Sequence, residues 1–309
     1  MNDGWPRIAV VGAGAVGCYF GGMLARAGAP IMLIGRSTHV DAINQQGLFL
    51  DTLRFQERTA PRASTDIDAA REAQVVLFCV KTLDTETTAK ALAPHLTSDA
   101  VVLSLQNGVD NVERIRRAIG IDAVPTVVYV AAQMAAPGHV KHTGRGDLIV
   151  GDPSGVHQWR LEALAALFRR AEIPCVVSEN IQGELWTKLV MNCTYNPLSA
   201  LSRAKYGAIA ADAGARAVMK AVTEETIAVA QATGVRFPAG DLLAAVYKLG
   251  EAMAGATSST AQDLARGKRT EVDSLNGYVA RRGEELDVPT PVNQALHALV
   301  KLLENALPV

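Results

Sequence analysis

At 309 residues the chain is longer than one average domain, so two domains are the default expectation. Thirty basic side chains against thirty-one acidic ones leave no net field, which argues against nucleic-acid or anionic-membrane binding driven by charge. No run reaches the roughly 20 uninterrupted apolar residues of a membrane span. The start MNDGWPRIAVVGAG lacks the basic n-region of a signal peptide, and Cys18, Cys79, Cys175 and Cys193 are scattered without a CxxC pair; a cytoplasmic setting with reduced thiols is expected.

From the start of the chain, β-rich runs at 7–11, 31–34, 74–80, 100–105, 124–130 and 147–150 alternate with helical stretches at 15–27, 40–46, 85–92 and 111–118. Such alternation predicts an α/β domain, a Rossmann-like doubly wound parallel sheet. Pro137-Gly138 and the glycines at 144 and 146 predict a turn back among the last strands. A helix at 157–170 and a strand at 174–178 close this part. Beyond residue 180 the periodicity is helical almost throughout, at 181–192, 212–233, 240–253, 260–266, 270–285 and 293–304, with Pro197, Pro238, Pro289 and Pro291 expected at helix boundaries. The predicted organisation is a dinucleotide-binding domain over 1–180 and an all-helical second domain over 181–309.

Gly12-Ala13-Gly14-Ala15-Val16-Gly17 is a G-x-G-x-x-G that directly follows a predicted strand and opens a helix of small residues. In that context Gly12 permits the tight turn, Gly14 lets the backbone approach a pyrophosphate, and Gly17 brings helix and sheet together. The anion would sit on the N–H groups of the helix start. Where an NAD enzyme carries an acid for the ribose hydroxyls, this chain has Gly35-Arg36-Ser37. An acid would repel a 2′-phosphate and Arg36 can pair with it, so NADP is expected over NAD. Lys81 and Asn107 follow the third and fourth strand runs, where carboxyl ends form the ligand crevice. A lysine there offers a cation to cofactor or substrate oxygens, and an asparagine amide can bridge ribose and substrate.

In the second half, Lys188, Asn192 and Asn196 are spaced i, i+4, i+8 among Leu189, Val190, Met191 and Cys193. A continued helix puts all three on one side. An ammonium flanked by two amides in apolar surroundings is suited to holding and protonating an oxyanion. The competing reading is a surface pair of Glu184 with Lys188, which leaves the two asparagines in register unexplained.

Together these segments resemble the ketopantoate reductase (2-dehydropantoate 2-reductase) family: the glycine loop, Val80-Lys81-Thr82, Gln106-Asn107-Gly108, Glu184 to Leu198, Ser258 to Asp263, and Thr270 to Gly277. The resemblance implies reduction of a small 2-keto acid by NADPH, 2-dehydropantoate to pantoate in pantothenate biosynthesis. It implies Lys188 as general acid, with Asn107, Asn192, Asn196 and Ser259 on the substrate and Asn107 also on the cofactor. It further implies that Ala132 lines the cofactor through its backbone and that Glu271 reaches it from the helical domain. The chain departs from the family pattern at Tyr206 and Ala256, where further asparagines are common, which opens the identity of the keto acid. The alternatives are a related NADP-dependent dehydrogenase acting on another keto or hydroxy acid, and a non-catalytic NADP(H)-sensing protein. The three polar residues of the stripe speak against the latter. Oligomeric state stays open, with a homodimer as one option. His139 and His142 lack accompanying acids or thiols at ligand spacing, so no metal is expected. Arg266, Lys268 and Arg269 form a basic turn that reads as a solvated loop or as a contact to the cofactor.

Overall fold

The computed structural model describes residues 4–306, which fall into two compact units. Of the described residues, one contains 4–106 and 110–181; the other contains 107–109 and 182–306.

The first unit runs β1 (Ile8–Val11), α1 (Ala15–Arg26), β2 (Ile31–Ile34), α2 (Ser37–Gln46), β3 (Leu48–Asp51), β4 (Gln56–Thr59), β5 (Arg62–Ser64), β6 (Val75–Phe78), α3 (Thr85–Leu92), β7 (Val101–Ser104), α4 (Asn111–Ile119), β8 (Val124–Ala136), β9 (His139–Val150), α5 (Leu161–Arg170) and β10 (Cys175–Val177). Its sheet is ordered β4-β3-β9-β8-β7-β6-β1-β2-β5, with β10 also on β9. From β5 through β8 the strands are parallel. β1, β6 and β7 are buried at every position, as parallel strands covered on both faces must be. The period of two sorts their side chains: Ile8 and Val10 pack with Phe20 of α1 and Phe168 of α5, whereas Ala9 and Val11 pack with Leu92 of α3 and Ile115 of α4.

The chain leaves β1 for β2 on one side and later returns to β6 on the other. The carboxyl ends of β1 and β6 therefore form the switch point where such sheets bind ligands. The sheet is mixed at its far end, where β8 and β9 pair antiparallel around the Pro137-Gly138 turn. Both strands are longer than the sequence predicts, because cross-strand pairing continues through three register irregularities.

The helical unit comprises α6 (Ile181–Ser202), α7 (Tyr206–Ala211), α8 (Ala213–Ala232), α9 (Leu242–Ala252), α10 (Ser259–Ala265), α11 (Asn276–Glu285) and α12 (Pro291–Asn305), with Ile181 itself clustering with the first unit. Asp212, Asp241 and Ser258 cap α8, α9 and α10 by accepting from the N–H groups of Ala215, Ala244 and Ala261. Each such cap is worth about 1 kcal/mol. α6 is packed on two sides. Trp186, Leu189 and Cys193 meet Val222, Val279 and Leu296, while Val190 and Tyr195 meet Ile209, Met219 and Val246.

The helix expected to stop near residue 192 runs on to Ser202, and Pro197 lies inside it instead of at its end. Burial of both flanks holds the helix where local propensity would end it. The stretch expected as one helix over 270–285 is split by a short 3-10 turn, Val272–Ser274, before α11 begins.

Candidate active site

At the end of β1, Gly12 has φ +110, and a Cβ there would come within 2.7 Å of the Cys79 carbonyl carbon and the Val80 nitrogen. Only glycine lets the chain turn against the end of β6. Gly17 is equally constrained, since its Cβ would run into the Gly12 carbonyl oxygen. Gly14, by contrast, faces open space within 4 Å, and no side chain caps the start of α1. No acid lies in the first turn of that helix. The loop thus offers uncapped N–H groups and a backbone that a ligand can approach, and Ala13, Ala15 and Val16 fill its remaining positions without large side chains. It fits the pyrophosphate of a dinucleotide. Arg36, at the end of β2, is the exposed N-cap residue of α2 and forms no ion pair among the described residues. Lys81 is half-buried just past β6 and precedes a 3-10 turn, Thr82–Asp84. Ala132 is a half-buried β8 residue paired with His142, beside one of the register irregularities.

The sequence names Gln106 only as part of the segment before Gly108 and does not reveal its role, which is to hold the strand ends in shape. Its Nε2 donates to the Val80 carbonyl (3.1 Å) and the Thr85 hydroxyl (2.7 Å), and its Oε1 accepts from Ser104 (3.0 Å). Gln106 is buried, so these bonds replace the water it lost. The one signal in the sequence is a polar residue directly before Asn107-Gly108, closing an apolar strand.

In the helical unit the Lys188 Nζ donates to Asn107 Oδ1 at 2.9 Å, and Asn107 Nδ2 donates to Glu271 Oε2 at 3.0 Å. Both ends of the Asn107 amide are thereby fixed. Asn192 is half-buried and Asn196 is almost fully buried, yet neither carboxamide has a hydrogen-bond partner among the described residues. Their amide atoms are not among the buried polar atoms left without a partner, so they still reach solvent and are free to bond a polar ligand. Ser258 is the buried member of its pair: it caps α10 and donates to the Asn196 carbonyl at 3.2 Å. Ser259 is exposed at the first position of α10.

Tyr206 stacks on Tyr195 with ring centroids 4.4 Å apart, and its N–H donates to the Ala256 carbonyl at 3.0 Å. The two departures from the family pattern are therefore neighbours. Burial pushes the Tyr195 phenol up to about 12 and raises Tyr206 as well, so the stacked pair is uncharged near neutrality.

Other candidates have different surroundings. Burial pushes the Cys18 and Cys175 thiols up to about 12, and Cys79 and Cys193 are raised too, which removes thiolate chemistry. His142 stacks on Tyr19 and contacts the Arg145 carbonyl, whereas His139 lies 3.5 Å from Asp51. No group of three metal-ligating side chains occurs among the described residues, and no described helix is long and apolar enough to cross a membrane. Arg266, Lys268 and Arg269 are exposed in the turn after α10.

The family model for ketopantoate reductase PanE/ApbA matches residues 8–155, and the model of its C-terminal part matches residues 180–304. A 2-dehydropantoate 2-reductase of Pyrococcus abyssi is 34% identical over 298 residues, spanning 96% of this chain and 97% of that protein. The crystal structure of a PanE/ApbA family ketopantoate reductase from Ralstonia eutropha JMP134 superposes with a TM-score of 0.91 at 49% identity, over 97% of this chain and 98% of that one. A D-mandelate dehydrogenase solved with NADH and anilino(oxo)acetate shares the fold at a TM-score of 0.92 over 98% of this chain and all of that one; at 23% identity it speaks to the fold alone. With both halves matched in order and a relative above 30% identity along nearly the whole length, the chain belongs to the ketopantoate reductase family.

Proposed function

We propose that the protein reduces a small 2-keto acid, 2-dehydropantoate foremost, with NADPH as the hydride donor. The observation that carries this reading is the bonded line Lys188–Asn107–Glu271 on the same unit as the two unpartnered amides of α6. When bound, the reduced nicotinamide supplies the hydride that reaches the carbonyl carbon. Lys188 donates the proton to the carbonyl oxygen, so that C=O becomes C–OH, and the neutral amine regains its proton from solvent. Before that transfer its positive charge stabilises the developing alkoxide. Asn107 holds the Nζ in place, and Asn192 and Asn196 orient the acid through its carboxylate, carbonyl or hydroxyl. Ser259 adds a hydroxyl at the substrate end. On the cofactor side, the loop Gly12–Gly17, Lys81, Ala132 and Glu271 form the contacts. Arg36 selects the 2′-phosphate. A cytoplasmic setting fits four free thiols.

A second reading keeps this chemistry and changes the acid. It is favoured by the adjacent Tyr206 and Ala256, which put an aromatic ring and a methyl group where the family pattern has amides. Loss of NADPH absorbance, followed across 2-keto acids from 2-dehydropantoate to bulkier aromatic ones, tests both. Fastest turnover with 2-dehydropantoate supports the first reading, and fastest turnover with an aromatic acid supports the second. NADPH binding with no turnover of any acid overturns both and leaves a nicotinamide-sensing protein.

A further inference from the structure

Pro197 creates a problem inside α6 that a distant residue solves. A proline at this position has no N–H for the carbonyl four residues earlier, which belongs to Cys193. Cys193 is fully buried, so water cannot fill the vacancy. The Asn276 side chain does: its Nδ2 donates to the Cys193 carbonyl at 2.9 Å and also to Asn293 Oδ1 at 3.0 Å. A carbonyl can only accept, which settles the orientation of the Asn276 amide. Asn293 passes the connection on, donating through Nδ2 to Glu225 at 2.8 Å. Glu225 also accepts from the N–H groups of Val292 and Asn293, both at 2.9 Å, and so anchors the relay at the start of α12.

One atom of the relay is left over. Asn276 Oδ1 is buried without a partner. An apolar residue of the same size would remove that cost, but it would leave the Cys193 carbonyl and Asn293 Oδ1 without their donor. The amide is therefore placed for what it donates. The turn it grips, Cys193 to Asn196, lies between Asn192 and Pro197, and Ser258 holds the same turn through the Asn196 carbonyl.

We propose that Asn276 is a positioning residue for keto-acid binding: by supplying the hydrogen bond that Pro197 cannot, it sets the turn of α6 that presents Asn192 and Asn196. The inference rests on the proposed role of those two amides in holding the acid. Its test is a double-mutant cycle of Asn276→Leu with Pro197→Ala, in which the alanine restores an N–H for the Cys193 carbonyl. Asn276→Leu alone is expected to raise the keto-acid KM by about tenfold, with kcat and the NADPH Kd within about threefold of wild type. In the Pro197→Ala background the same substitution should raise KM less than about threefold. A purely structural role predicts a lower Tm with an unchanged KM, and that result overturns the proposal, as does an equal KM effect in both backgrounds. Should Asn276→Leu not fold, the double variant decides: recovery of folding and of near-normal KM supports the relay, and continued failure overturns it. Asn192→Ala in the same assay separates the two levels. An unchanged KM there ends the amide reading itself, whereas a raised KM with a silent Asn276→Leu ends only the relay.

Discussion

The glycine loop and the α6 stripe, the two proposed ligand sites, are built by opposite means. The loop works by absence: Gly12 and Gly17 have no Cβ because β6 and the loop's own carbonyl occupy that space, and Gly14 leaves its own space open. The stripe works by presence, with an ammonium and two amides on a helix whose flanks enter two apolar clusters. A motif built on missing side chains needs only its immediate neighbours. One built on polar groups draws on distant parts of its unit: Asn107, after β7, holds Lys188, and Asn276 of α11, backed by Asn293 of α12 and Glu225 of α8, holds the backbone turn between the two asparagines.

The sharpest way to break this contrast is Lys188→Ala. It should lower kcat by roughly 10²–10⁴-fold while NADPH still binds, because removal of a proton donor spares the loop. Single-turnover and steady-state rates within a factor of two of wild type would end the catalytic role. Gly12→Ala should do the converse. It adds about 1–3 kcal/mol of backbone strain and a Cβ 2.7 Å from the Cys79 carbonyl carbon. A lower urea midpoint and a large loss of NADPH affinity in a fluorescence titration are expected; unaltered binding would show that the turn tolerates a side chain.

Arg36→Ala refines the loop's half of the contrast. Loss of a charge-assisted contact of about 1.5–3 kcal/mol should weaken NADPH by roughly 10- to 100-fold and leave NADH nearly unchanged. Equal losses for both cofactors would remove Arg36 from the 2′-phosphate.

The smallest expected effect concerns the ionic support of α12. Burial pushes Asp273 and Glu304 up, but hydrogen bonds from His297 and Lys301 to Asp273, and from Lys301 and Thr270 to Glu304, hold both carboxyls below their ordinary values. The stability they contribute is fully present above the ordinary carboxylate values and is lost as the pH falls through the lowered ones. The Asp273 side chain keeps 29% of its exposure, so solvent screens the contribution. Asp273→Asn should cost about 1 kcal/mol at neutral pH, a Tm drop of about 2–4 °C. The difference should vanish in melts run in strong acid; a persisting difference would point to packing instead of charge.

Much of the molecule is legible in the order of its residues. The alternation of strands and helices, the turn at Pro137-Gly138 and the stripe Lys188, Asn192, Asn196 all follow from periods of two and 3.6 or from local sterics. What the residue order misleads about has an equally local cause. Pro197 reads as a helix end, and nothing near it in the chain reveals Asn276, 83 positions from Cys193, as the donor that lets the helix continue. Gln106 reads only as the polar residue after a strand, although its bonds to Val80 and Thr85 lie more than 20 residues away.

Steric limits and side-chain periods act within a few residues, and for that reason the α/β and helical halves, the conformation of the glycine loop and the residue types on α6 are properties of the sequence. Which carboxamides are engaged and which are not is a property of the folded molecule. Asn107 is 81 positions from Lys188 and 164 from Glu271, yet it bonds to both. Glu225 caps a helix that begins more than 60 residues later. Hydrogen bonds across such separations leave no periodic trace, since their partners are chosen by the packing of whole elements.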